Sequence, residues 1–239
     1  MTDAPTVLVL QHLSSDGPGY LGTWLARHGI RADVRNTEAG DAYPATLDGY
    51  AALAILGGEM SANDPLPSLR QAERLFLQAL ERGVPTLGHC LGGQLMARAL
   101  GARIGDSPQP EIGWQPLTVA SGREAQAWLG AAGEATVFQW HYEAFELPRG
   151  ATPLAASAAC PNQAFALGPH LGMQFHIEVD VDKVTRWSAE TGERYAAVLS
   201  QPTVQDGERM RTQLAARLPA HQAMADHIYT RWWALASAS

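Results

Sequence analysis

The chain has 239 residues, 46% of them hydrophobic, with a mean hydropathy of -0.14, enough apolar material for one large α/β domain or for a domain with a helical appendage. A formal net charge of -7, a pI of about 5.6 and no Lys/Arg-rich block argue against a nucleic-acid or anionic-membrane partner. The opening MTDAPTVLVLQ has no basic region followed by a long apolar run, and only Cys90 and Cys160 are present, so no secretory signal, no membrane span and a reduced cytoplasmic setting are expected.

Thr6 to Leu10 reads as a strand, Tyr20 to His28 as an amphipathic helix, and Asp33 to Asn36 as the start of a second short strand. Tyr50 to Leu56 is a continuous apolar run of strand length that ends in Gly57-Gly58. Leu66 to Arg82 divides into a polar face (Arg70, Glu73, Arg74, Gln78, Glu81) and an apolar one (Leu69, Leu75, Phe76, Ala79, Leu80), with Gly83 placed as its C-cap. Strands alternating with helices predict a doubly wound, mostly parallel sheet covered on both faces, in which ligands gather at the carboxyl ends of the strands.

Val84 to Leu87 suits a buried strand and Leu91 to Leu100 a buried helix, so Cys90 falls on the turn between them, with glycines at 88 and 92. This is the pattern of a nucleophile elbow. At a helix N-terminus the free N–H groups and the helix dipole favour a thiolate. A cysteine among glycines also suits a small buried hydrophobe. Downstream, Leu171 to Glu178 reads as a strand, which would set His176 and Glu178 side by side on one face. A nucleophile, a base and an acid that orients the base are then all present. A backbone amide at Gly57-Gly58 could donate to an oxyanion.

Between Gly113 and Leu171 four short runs (Gln115 to Ala120, Thr136 to Trp140, Leu154 to Ser157, Gln163 to Leu167) predict antiparallel strands flanking the parallel sheet. Past Glu178 the sequence reads helical over Val181 to Leu199, Gln205 to Leu218 and Ala220 to Ala236, and the Ala/Ser end is expected to fray. The division expected is a domain over 1–180 and a helical extension over 181–239 packed on it.

Five stretches in this order resemble the class I (triad) glutamine amidotransferase family, and most closely its free-standing members similar to the amidotransferase domain of GMP synthase. They are Ala54 to Met60, Gly88 to Gln94, Glu111 to Trp114, Gln139 to His141 and Gly172 to Glu178. The resemblance implies a flavodoxin-like core with an antiparallel flap. It implies Cys90 as nucleophile, His176 as general base and acid, Glu178 as the carboxylate that orients it, and the amides of Gly58 and Leu91 as oxyanion donors. Gly57, Gln94, Trp140, His141 and Tyr142 match the substrate-holding positions, with structural hydrogen bonding the alternative for His141. Where the family commonly has proline, this chain has Glu59 after the oxyanion glycine and Ile177 between His176 and Glu178. Glu59 either edges the pocket mouth or points into solvent.

The implied substrate is glutamine or another γ-glutamyl small molecule. No phosphate loop and no histidine cluster with ligand spacing is present, so neither a cofactor nor a metal is expected. Three functions remain open. The first is a glutaminase feeding ammonia to a separate synthetase, docked on an apolar side of the C-terminal helices. The second is a stand-alone γ-glutamyl hydrolase, and the third a non-catalytic regulatory subunit. The oligomeric state is not set by sequence, and a homodimer stands among the open arrangements. Trp187, Trp232 and Trp233 are expected to pack the C-terminal helices, His89 to pack, and Cys160 to be inert.

Overall fold

In the computed structural model, which describes residues 5–237, the apolar runs join into one sheet of nine strands. The elements in order are β1 (Thr6–Gln11), α1 (Gly19–Arg27), β2 (Arg31–Asn36), β3 (Tyr50–Ile55), α2 (Pro67–Arg82), β4 (Thr86–His89), α3 (Leu91–Ala99), β5 (Ile104–Val119), α4 (Arg123–Leu129), β6 (Gly133–Phe145), β7 (Thr152–Ala156), β8 (Ala164–Leu167), β9 (His170–Met173), α5 (Val181–Trp187), α6 (Glu193–Ala196) and α7 (Gly207–Ser237). The strand order is β2-β1-β3-β4-β9-β8-β7-β5-β6. The first five of these strands pair in parallel and the rest pair antiparallel. This is the doubly wound sheet with an antiparallel flap that the sequence pattern predicts.

Alternation along the central strands divides the core in two. Val7, Val9, Ala52 and Ala54 face α1 and the second half of α7, where Leu21, Trp24, Ile228 and Trp232 are buried. Leu8, Leu10, Leu53 and Ile55 face α2 and α3, against Leu69, Phe76, Leu95 and Met96. Burial on both faces explains why β1 and β3 read as continuous apolar runs. Gly83 caps α2 at φ 68°, as its position predicts. A third apolar cluster joins Ile112, Trp114 and Phe138 of the flap to Val184, Tyr195 and Met210, which hangs the C-terminal helices over the ends of the parallel strands.

Several expected elements differ in the structure. The strand expected over Leu171 to Glu178 ends at Met173, because its partner β4 stops at His89. Beyond it the chain turns to the flap, with Gln174 N–H donating to Gln163 O and His176 N–H to Phe138 O. The helix expected over 181–199 breaks into α5 and α6 around Glu190, whose carboxylate accepts the N–H groups of Thr191 and Gly192. The two helices expected on either side of Pro219 form one, α7. An interior proline costs a helix about 3 kcal/mol, offset here by apolar burial on both sides: Met210 and Leu218 before it, Ala225, Ile228 and Trp232 after it. Helix α7 therefore turns its apolar side inward, and among the described residues the large exposed apolar ones are Leu66, Leu77, Leu147, Val181 and Leu199, none of them on it. The short helix α4 has no counterpart in the sequence reading, β2 begins two residues early, and β5 and β6 are longer than expected. The Ala/Ser end expected to fray lies partly outside the described residues.

Candidate active site

Strand β4 ends at His89 and α3 begins at Leu91, so Cys90 alone makes the turn. It takes φ 48° and ψ -107°, the only positive φ at a non-glycine residue among those described. Such a conformation costs about 1–3 kcal/mol and persists only where the surroundings enforce it. Here Cys90 N–H donates to Met173 O and Gln94 N–H to Cys90 O, both at 2.9 Å. The helix must also lie close to the sheet. A Cβ on Gly92 would overlap the Ile55 carbonyl oxygen, and one on Gly93 would stand 2.5 Å from Met173 O.

The thiol faces a cavity of about 360 Å³ at the carboxyl ends of the parallel strands. The Gln174 side-chain amide donates to Sγ at 3.5 Å, and Sγ lies 3.7 Å from Trp140 O. His176 lines the same cavity. Its Nδ1 donates to Glu178 Oε1 at 2.7 Å, while Nε2 has no hydrogen-bond partner among the described residues. Burial works against a charge on His176, but the Glu178 carboxylate and the Cys90 sulfur outweigh it and raise its pKa to about 10. Burial likewise opposes ionisation of Glu178, yet the Lys183 ammonium and the His176 ring hold it well below the usual carboxylate range. His89 is the contrasting neighbour. It is fully buried 4.0 Å from Glu178 Oε2, and burial lowers its pKa, so the imidazole stays neutral. It packs, as expected.

The structure brings Gly58, Cys90, Gln94, Trp140, His141, Tyr142 and His176 to this cavity. Gly57, Leu91 and Glu178 stand immediately behind it. A Cβ on Gly57 would lie 2.9 Å from His176 Cε1, and one on Gly58 would lie 2.9 Å from Leu91 Cδ2. As the first residue of α3, Leu91 has no intrahelical acceptor for its N–H. Gln94 is tied to Glu143 O at 2.9 Å and to Gln174 Oε1 at 3.3 Å. Both ring nitrogens of His141 are engaged by protein groups, Nε2 with Glu111 Oε2 at 3.1 Å and Nδ1 with Glu143 O at 3.2 Å. Glu59 is exposed and also lines the mouth.

Several members of the site escaped the sequence. Gln174 reaches the sulfur. Trp187, expected only to pack, also walls the cavity and meets the His176 ring edge-on at 4.8 Å. Glu190, Glu193, Arg194 and Tyr195 close the outer side, with the Arg194 guanidinium 4.0 Å above the Tyr142 ring. Lys183 and Asp16 pair at 2.5 Å behind Glu178. The available signal for Lys183 was its place one turn before Trp187, on the side of α5 where Val184 is buried. Cys160 is buried 3.6 Å from Asn162 O, and burial pushes its thiol pKa up. Among the described residues no group of three or more His, Cys, Asp or Glu is placed to hold a metal ion, and no helix is long and apolar enough to cross a membrane.

The family described as "Glutamine amidotransferase class-I" matches residues 24–185. The chain is 32% identical over 180 residues to the putative glutamine amidotransferase-like protein YfeJ of Salmonella typhimurium, covering 72% of this chain and 75% of that protein. It is 31% identical over 137 residues to one separately named subunit of the glutamine-hydrolyzing GMP synthase of Thermoplasma acidophilum, covering 56% of this chain and 66% of that one. It spans 23% of the glutamine-hydrolyzing GMP synthase of Thermomicrobium roseum that it matches and 37% of that of Aeropyrum pernix. The crystal structure of a glutamine amidotransferase from Methylobacillus flagellatus superposes with a TM-score of 0.90 at 36% identity, over 98% of this chain and 96% of that one.

Proposed function

The chain belongs to the class I glutamine amidotransferase family, and from that premise we propose that it hydrolyses the γ-amide of glutamine through Cys90, His176 and Glu178. The Cys90 thiolate attacks the γ-carbonyl carbon. The resulting oxyanion is held by the amides of Gly58 and Leu91, and the His176 imidazolium gives its proton to the departing nitrogen, leaving ammonia and a γ-glutamyl thioester. Neutral His176 then takes a proton from water as it attacks the thioester. Glutamate leaves and the thiolate–imidazolium pair is restored. Glu178 holds Nδ1 throughout, so that Nε2 is the nitrogen that moves the proton.

The observation that carries this reading is the backbone of Cys90. A conformation so costly for a non-glycine residue is enforced at the one position where it aims a thiol into the cavity that His176 lines. A non-catalytic chain has no need of it. The ammonia is passed to an acceptor enzyme on a separate chain, a reading supported by the similarity to a GMP synthase polypeptide that is itself named as one subunit of the enzyme. Residues 1–180 form the amidotransferase unit, and the extension over 181–239 supplies an outer wall of its cavity.

A second reading, a γ-glutamyl hydrolase acting on γ-glutamyl amines or peptides, is favoured by that wall. The cavity continues past the triad to Glu59, Glu190, Glu193 and Arg194, leaving room for a leaving group larger than ammonia. The test is glutamate release from glutamine and, in parallel, from a panel of γ-glutamyl amines and dipeptides, with Cys90→Ala as the blank. Preference for glutamine, or activity that appears on adding cell extract, supports the amidotransferase. Rapid Cys90-dependent cleavage of a panel member over glutamine supports the hydrolase, and equal rates with Cys90→Ala refute both.

A further inference from the structure

Lys183 has no part in the reaction just described, yet its side chain is only 2% exposed. Its Nζ lies 2.5 Å from Asp16 Oδ1 and 3.3 Å from Glu178 Oε1, with the Trp187 ring centroid 5.1 Å away. Burying an ammonium is costly unless partners surround it, and this one is buried against the back of the triad. From Asp16 through Lys183 and Glu178 to His176 the groups alternate in sign (carboxylate, ammonium, carboxylate, imidazolium), and the row ends at the sulfur of Cys90. The loop that carries Asp16 is fastened to the same place, because Tyr20 N–H donates to Glu178 O at 2.8 Å.

We propose that Lys183, anchored by Asp16, is a positioning residue that keeps Glu178 ionised and turns its Oε1 toward His176, and so maintains the charged Cys90–His176 pair. The proposal rests on the triad reading above. The geometry is selective. Lys183 and His176 share Oε1, whereas Oε2 faces His89 at 4.0 Å and has no hydrogen bond among the described residues. Apart from His176, which shares Oε1, the other titratable groups that act on Glu178 are uncharged near neutral pH. Burial lowers His89 at the end of β4, lowers His221 of α7 to about 4, and raises Tyr229 of α7. Lys183 is therefore the permanent cation of this cluster.

The test compares Lys183→Met with wild type, both carrying Cys160→Ser, by two pH profiles: kcat/KM for glutamate release, and the rate of Cys90 alkylation by iodoacetamide, which needs no substrate. Without the ammonium, Asp16 and Glu178 face each other with no cation between them and one takes up a proton. The acid limb of both profiles should rise by ~1 pH unit or more, the scale on which a neighbouring charge moves a carboxyl group. Adding Asp16→Asn should return the limb toward wild type, because Glu178 then has only His176 to answer. If Lys183→Met does not fold, Lys183→Gln removes the charge while keeping a donor and carries the same expectation. Acid limbs that coincide with wild type, at whatever rate, overturn the proposal and leave Lys183 a packing residue. A shifted alkylation limb in a protein that releases glutamate from no γ-glutamyl compound upholds the charge relay and refutes the proposed reaction instead.

Discussion

Replacing Glu178 by glutamine isolates what its charge does, because Gln keeps the size and one acceptor oxygen. In the structure the carboxylate accepts from His176 Nδ1 at 2.7 Å, and both residues are buried. A hydrogen bond to a charged group contributes about 1.5–3 kcal/mol against about 0.5–1.5 for a neutral one, so the substitution costs the imidazolium on the order of 1–2 kcal/mol. That is roughly a 5- to 30-fold fall in kcat for glutamate release, at about 1.4 kcal/mol per factor of ten. The loss is smaller than that from Cys90→Ala. The pH profile gives the sharper signature. His176 stands at about 10 because the negative groups beside it outweigh its burial. Removing one lowers the folded pKa, so the imidazolium to which we assign protonation of the leaving nitrogen is lost at lower pH and the alkaline limb moves toward neutrality. A coupled glutamate dehydrogenase assay from about pH 6 to about 10.5, spanning the histidine range, reads both quantities. Wild-type kcat with an unmoved alkaline limb would refute the role assigned to Glu178.

Further outcomes follow from backbone geometry and buried histidines. Cys90→Ala and Cys90→Gly should both abolish turnover, but in urea denaturation the glycine variant should be more stable than the alanine variant by about 1 kcal/mol, since only glycine adopts φ 48° and ψ -107° without strain. Gly92→Ala should destabilise by roughly 2–3 kcal/mol as its Cβ pushes α3 off Ile55, and a stability equal to wild type would show that the helix can shift freely. Burial holds His12, His170 and His221 at about 4, below the value of about 6.5 for an unfolded histidine. The unfolded chain therefore binds more protons than the folded one as pH falls through this window. Each histidine withdraws up to about 3 kcal/mol by about pH 4, and the melting temperature should drop steeply below about pH 6. The two members of the His176–Glu178 pair act at opposite ends of the pH range. Glu178 contributes stability that is present above its unfolded value of 4.5 and lost in stronger acid, and the raised His176 contributes stability that is lost as pH climbs through about 10. A melting temperature that stays flat from about pH 6 down to about 4 would mean these histidines are not held neutral.

Much of this fold could be read from the chain because its signals are local. The apolar runs of β1 and β3, the two faces of α2 and the glycines around Cys90 each constrain a few consecutive residues, and backbone preference and side-chain period act over that range. The elbow followed from the same short-range logic. The sequence pairs His176 with Glu178 through strand alternation, but the strand ends at Met173, and their contact is made in an irregular segment held by Phe138 O and by the His221 ring. Pro219 likewise carried a local signal to break, which burial along both halves of α7 overrode. What tertiary structure alone decided is which distant groups meet in the dry interior. Asp16 and Lys183 are 167 positions apart, and the walls of the cavity come from the flap and from helices beyond residue 180. A buried charge is tolerable only beside its counter-charge, and no window of sequence shows which counter-charge the folded chain will bring.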